Sequence, residues 1–207
     1  MRSNPHRRHR FFPATLVATL LAILPACHQG EPPTPPRLPA RSGSADIGGN
    51  AVGILQARSI RVQDGDSFVA RLSNGNSRTI RLSGVDAPER TQPLADQSRQ
   101  NLHRLLDNRE LSVRVAKEDA FGRAVAQVFV LGEGAPLDAG LAQLESGMAW
   151  FFRRYRNDLP AAERDRYAEA EQAARQSKRG LWQTRKPEPP WDFRQRQQQA
   201  GNRSARP

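Results

Sequence analysis

The stretch Asp64–Glu89, DGDSFVARLSNGNSRTIRLSGVDAPE, decides the fold of this chain. Four carboxylates (Asp64, Asp66, Asp86 and Glu89) and one arginine, Arg81, stand among residues suited to β-strands. Ser67 to Leu72 reads as one strand and Ser77 to Val85 as the next. In the second, Ile80 and Leu82 point one way and Thr79, Arg81 and Ser83 the other, because strand side chains alternate. Asn74-Gly75 between them is a hairpin signal. Gly84 breaks the alternation, as at a bulge or barrel bend.

Outward from this ribbon, Ile54 to Val62 forms a preceding strand. A helix is expected from about Gln92 to Leu106, with Pro93 in its first turn and Leu94, Leu102, Leu105 and Leu106 as its apolar stripe. Leu111 to Ala116 and Ala124 to Val130 are two more strands, with Phe121-Gly122 near the turn. Further helices are expected from Leu137 to Ser146, stopping at Gly147, and from Pro160 to Ser177. For the last, Asp158 is the expected N-cap and Gly180 the terminator. The sum is an α+β chain, mainly β: a five-stranded OB-fold Greek-key barrel with three packed α-helices. This domain is expected to occupy residues 51–184.

The flanks read differently. Residues 1–26 open with a basic run and continue into FFPATLVATLLAILPA, an apolar stretch short for a membrane span, and read as an export signal. Leu24-Pro25-Ala26-Cys27 resembles a bacterial lipoprotein box, which makes Cys27 the expected lipidation site. Residues 27–50, rich in Pro, Gly and Ser, read as a flexible tether. Residues 185–207 read as a disordered basic tail, in which Pro190-Trp191-Asp192-Phe193 is the part able to pack back. The expected location is therefore extracytoplasmic. The chain would be membrane-anchored through its lipid, facing the periplasm or exterior, or else secreted.

The chain has 207 residues and a formal net charge of +11. It stays strongly basic after Arg2, Arg7, Arg8 and Arg10 of the leader are set aside, which favours polyanionic partners. Cys27 is the sole cysteine, so an intramolecular disulfide and a cysteine zinc cage are both excluded. His6, His9, His28 and His103 are scattered, with no paired ligand spacing. A metal would have to be held by oxygen, which points to a hard cation such as calcium.

Asp66 and Asp86 each fall where a strand ends or turns, so their carboxylates can converge on one rim of a barrel. Converging acids repel unless a cation or proton lies between them. Asp64 reads as a plain turn residue. Pro88 biases Ala87 toward an extended conformation, which gives the Ala87 carbonyl a fixed direction beside Asp86. Glu89 stands close by, free to orient or deprotonate a water. Arg81 and Arg123, the latter in the second short stretch DAFGR (Asp119 to Arg123), carry planar guanidinium groups suited to two phosphate oxygens at once.

These residues, with Gly147-Met148-Ala149-Trp150 and Gly180-Leu181-Trp182 in the same order, resemble the staphylococcal nuclease-like (thermonuclease, or micrococcal nuclease) family. The resemblance covers roughly Ile54 to Trp182 and suggests a bacterial exported member. It implies an OB-fold barrel with three helices, one Ca2+, and hydrolysis of DNA and RNA to products ending in 3′-phosphate. On this sequence it implies that Asp66 and Asp86 hold calcium by carboxylate and Ala87 by carbonyl. Arg81 and Arg123 would grip the scissile phosphate, and Glu89 would be the general base. Ala87 stands where the family often has threonine, and Ser67 replaces another threonine. Ala120 and Phe121 replace the lysine and tyrosine with which the best-known member contacts a terminal phosphate, which leaves the balance of endo- and exonuclease action open.

Phe121 and Tyr155 are the candidate substrate-binding aromatics. Single strands would be held by charge and stacking, with Phe151 and Phe152 nearby and Trp150 given to the core. No protein partner is implied, and a monomer is expected. The rival reading is a non-catalytic OB-fold nucleic-acid-binding lipoprotein. It leaves Glu89, placed beside a calcium pair, without a purpose.

Overall fold

A computed structural model describes residues 53–204. The export segment, Cys27, the tether, residues 51 and 52 and the last three residues lie outside the described residues.

Five strands close on themselves. β1 (Gly53–Val62) pairs antiparallel with β2 (Ser67–Leu72), and β2 with β3 (Ser77–Leu82). On its other edge β1 pairs with β5 (Leu111–Glu118), which pairs in turn with β6 (Ala124–Val130). The barrel closes where β3 runs parallel to β6, with Ile80 opposite Ala124 and Leu82 opposite Ala126. Closure removes the exposed edges that an open sheet would leave. Register shifts between Ser59 and Arg61 in β1, and between Val115 and Lys117 in β5, supply the bends a small barrel needs.

Between the strands lie two short pieces. β4 (Val85–Asp86) pairs with β8 (Trp150–Phe151), and β7 (Leu137–Asp138) adds to the edge of β6. The strand expected to run through Val85 is thus divided at Gly84, whose φ of 72° turns the chain onto β8.

The alternating pattern puts Phe68, Ile80, Leu82, Val113, Ala126 and Val128 inside the barrel core, all essentially inaccessible. α1 (Ala95–Leu106) closes over β1 with Leu102 and Leu106 buried. It starts later than expected, because Leu94 adopts a left-handed φ of 67°. α2 (Ala139–Glu145) is capped by the Asp138 carboxylate, which accepts from the Gly140 and Leu141 amides and from the buried Tyr167 hydroxyl.

α3 (Ala161–Gln176) packs on α2. Asp158 is not its N-cap. Pro160 holds that position without a side-chain bond, and the Asp158 carboxylate pairs instead with Lys117 at 2.7 Å. Nor does Gly180 end the helix, which stops at Gln176; Gly180 sits in the 3-10 turn that follows. That glycine and Gly147 touch backbone to backbone. A Cβ on Gly147 would lie 2.3 Å from the Arg179 carbonyl oxygen, so the β8 approach and the α3 exit are locked by small residues.

The tail differs from the expectation of disorder. A fourth helix, α4 (Pro190–Ser204), follows α3, with Pro190 buried and Trp191 stacked on Phe152 at 5.2 Å between centroids. The Gln- and Arg-rich composition hid it, because only its first turn carries an apolar anchor.

Candidate active site at the barrel rim

The turn Asp64-Gly65-Asp66 joins β1 to β2 and is clamped from beneath. The Gln143 side-chain amide of α2 donates to the Gly65 carbonyl and, at 3.2 Å, to the Ser98 carbonyl of α1. Gly65 lies so close to α1 that a Cβ there would meet the Ser98 hydroxyl at 1.8 Å. Any side chain at this position would force the turn off the helix. The Asp66 amide donates to the Asp64 carboxylate at 3.1 Å, so Asp64 is the turn residue expected, though it also lines the cavity described below.

Asp66 and Asp86 are almost wholly buried and meet on a single guanidinium. Arg81, near the end of β3, forms an ion pair with Asp66 through Nη1, and Nη2 reaches Asp86 Oδ1 at 3.0 Å. The same Nη2 donates to the Val85 carbonyl at 3.2 Å. The other Asp66 oxygen accepts the Ala87 amide at 2.8 Å, and Ser67 donates its hydroxyl to Asp66 Oδ1 at 2.8 Å.

Glu89 follows on the Pro88 turn. Its amide donates to the Gln92 side chain at 2.9 Å, and its own side chain is 37% exposed. Arg123 enters from the β5–β6 turn. There Asp119 Oδ1 accepts the Phe121 and Arg123 amides at 3.0 Å, and Oδ2 accepts Arg123 Nε at 2.8 Å. Asp119 therefore holds the arginine in place across the mouth.

Two adjoining cavities open here. One, about 360 Å³, is lined by Asp64, Asp66, Arg81, Asp86, Glu89, Arg123 and Arg194 among others. The second, about 380 Å³, shares Arg81, Phe121, Arg123, Phe152 and Tyr155 with it and adds Lys117. Phe121 is 84% exposed and Tyr155 45%, so both offer ring surface to a ligand. Trp150 and Phe151 are core residues, at 2% and 3%. Every candidate site residue of the folded part, Ala87 included, is brought to this one rim.

Sequence reasoning missed Arg194. From α4 its guanidinium reaches Asp86 Oδ2 at 2.8 Å, Asp86 Oδ1 at 3.3 Å and Glu89 Oε1 at 2.7 Å. The rim is thus a chain of alternating charge: Asp66, Arg81, Asp86, Arg194, Glu89. The nearby tryptophan was the available signal, since a large aromatic in a polar tail seldom stays in water.

Charge crowding and burial shift the carboxyl groups of the rim. Burial works against ionisation of Asp66, but the Arg81 guanidinium, the Ala87 amide and the Ser67 hydroxyl hold its carboxyl below the usual range. Burial and the Asp66 charge push Asp86 up, despite Arg194 and Arg81. Asp64 is pushed up to about 7 by burial and then by the charge on Asp66. A carboxyl whose folded pKa is raised stabilises the fold most below its unfolded value, and that stability is lost as pH rises through the folded value. Thermal melts in chelator should therefore show stability falling between about pH 4 and pH 7. Asp64→Asn should flatten that slope; an unchanged slope would assign it to another group.

Asp66 and Asp86, with the Ala87 carbonyl, are the oxygen donors available to a metal. Among the described residues no group of three or more His, Cys, Asp or Glu stands arranged as a metal cage. Arg81 and Arg194 hold the carboxylates instead.

A closed five-stranded barrel with acids and arginines gathered on one rim defines an OB-fold protein built to meet phosphate. Residues 79–184 match the family described as staphylococcal nuclease homologue. Relatives include an uncharacterized endonuclease of Escherichia coli, 32% identical over 146 residues, covering 69% of this chain and 86% of the relative. A micrococcal nuclease of Shigella flexneri is 29% identical over 148 residues, covering 69% and 82%. A probable staphylococcal-like nuclease of Oryza sativa subsp. japonica is 35% identical over 121 residues, covering 58% of this chain but 30% of that longer protein. The chain belongs to the staphylococcal nuclease homologue family.

Proposed function

We propose that this chain is a calcium-dependent nuclease that cuts DNA and RNA to leave 3′-phosphate ends, working outside the cytoplasm from a lipid anchor at Cys27. The class of reaction, hydrolysis of phosphodiester bonds, follows from the family and from relatives named as endonuclease and micrococcal nuclease. Export and the anchor rest on the sequence of residues 1–27 alone, and one observation supports the calcium site. Two buried carboxylates meet on one guanidinium, with a half-exposed glutamate and a second arginine around the same 360 Å³ cavity.

The donor set suits a hard cation. Asp66, Asp86 and the Ala87 carbonyl offer oxygen alone, and the carboxylates already face a common positive group in Arg81. Calcium bound there would neutralise the crowded acids and the phosphate charge. The remaining work falls to the chain. Arg123, steadied by Asp119, and Arg81 supply planar donors to the phosphoryl oxygens. Glu89 takes the proton of the water that adds to phosphorus. The bond to the 5′-oxygen breaks, and that oxygen leaves with a proton from solvent. The exposed rings of Phe121 and Tyr155 stack on flanking bases, which favours single strands.

The deciding experiment is release of acid-soluble nucleotides from single-stranded DNA, first with calcium and then with a chelator. Cleavage is expected in calcium and loss of it on chelation. Salt-sensitive binding without cleavage would instead favour a nucleic-acid-binding barrel.

A further inference from the structure

The family match stops at residue 184, but the site does not. Arg194 stands ten residues beyond it, on α4, and takes both oxygens of Asp86 and one of Glu89. These atoms are the ones a cation and a water-activating base must use. With both Asp86 oxygens facing the Arg194 guanidinium, a divalent ion there would meet a positive charge and fewer free lone pairs.

α4 is also lightly held. Pro190 is buried, Trp191 stacks on Phe152 with the planes 10° apart, and Gln92 donates from its side-chain amide to the Glu188 carbonyl at 3.0 Å. Past Arg194, residues 195–203 are exposed. Arg196 spends its charge on Glu188, within the same tail segment. A single polar helix of this length is marginal on its own in water, so the first turn and the Arg194 contacts decide whether it stays docked. The pair to half-exposed Glu89 is screened by solvent, and the pair to buried Asp86 is the contact for which a divalent ion, with its higher charge, would compete.

Building on the calcium-dependent nuclease reading above, we propose that α4 is a self-inhibiting strap. Arg194 occupies the cation position of the site, and calcium with a phosphodiester displaces it. Docked strap and loaded site exclude each other, so each ligand shifts the chain toward the undocked form by its preference for that form. The site is thereby kept closed, its acids paired with arginines, when calcium is scarce and opened when it is plentiful. Trp191 leaves the face of Phe152 on opening, and Arg194 leaves the lining of the cavity that Phe152 and Tyr155 share.

The test uses the full chain, with calcium as the probe. Hydrogen exchange of residues 190–204 is followed with and without calcium, and calcium affinity is measured by calorimetry for the wild type, Trp191→Ala and Arg194→Ala. Calcium should speed exchange across α4. If the docked form holds nine molecules in ten, both variants should bind calcium about tenfold tighter. Trp191→Ala is the telling one, because it loosens the strap without changing any charge at the site. Tighter binding in Arg194→Ala alone would reflect only the lost positive charge and would overturn the strap, as would exchange that calcium leaves unchanged. Calcium-dependent cleavage with unaltered α4 protection removes the strap and leaves the nuclease reading standing. Absence of calcium binding in all three proteins removes both.

Discussion

Arg81→Ala should lower kcat on single-stranded DNA by about a thousandfold. It should also destabilise the calcium-free fold by about 3 kcal/mol. Both effects come from one position. Arg81 lies in the closing strand, opposite Ser67 on β2 and Val125 on β6, so the barrel itself fixes its place. Its guanidinium is the shared partner of Asp66 and Asp86, which are 5% and 2% exposed. Without it two carboxylates are left buried, Asp66 with only neutral donors, and breaking a buried pair costs more than the pair is worth.

The kinetic loss has a separate cause: a guanidinium facing the phosphoryl oxygens stabilises charge that grows in the transition state. Arg81→Lys keeps the charge but not the fork that spans two carboxylates, and should recover stability better than turnover. Urea unfolding in chelator and steady-state rates in calcium separate the two effects. A rate within tenfold of wild type in Arg81→Ala would take Arg81 out of the chemistry and leave it a structural counter-ion.

The barrel was legible because its strands carry their own pattern. Ile80 and Leu82 against Thr79, Arg81 and Ser83 reads as a half-buried strand, and the hairpin at Asn74-Gly75 fixes its neighbour. The convergence of the candidate residues was legible for the same reason. These residues lie at strand ends, and a barrel that closes in this order leaves those ends little choice but a common rim.

What escaped depended on partners far away in sequence. Nothing local to Asp158 says that Lys117 will claim it before α3 can. Nothing in a Gln-rich tail says that Arg194 will cross back over a hundred residues to Asp86. Polar helices with one anchored turn have almost no periodicity to read. Asp64 was half legible: its turn role shows in sequence, but the burial that raises its pKa depends on how the neighbouring elements pack.

Glu89→Gln should leave substrate binding within a few-fold and reduce kcat by about a hundredfold to ten-thousandfold, the range associated with a positioned general base. The substitution keeps the shape of the side chain and removes the proton-accepting charge. The surrounding turn should survive it. Pro88 stiffens the approach, and the Glu89 amide remains bonded to Gln92, which α4 in turn uses as its anchor. The side chain is half exposed, so the lost ion pair with Arg194 is worth at most about 1 kcal/mol, too little for unfolding to mimic a kinetic defect.

The pH profile offers a second readout. If Glu89 accepts the water proton, the acid limb of kcat against pH belongs to its carboxyl and should vanish in the variant. The structure makes this a demanding test, because Arg194 holds Glu89 Oε1 at 2.7 Å, on an oxygen a water would have to approach. Catalysis by Glu89 therefore requires that Arg194 first let go. Turnover unchanged in Glu89→Gln would pass the role of base to another group, and the Arg194–Glu89 contact would then be no more than a surface ion pair.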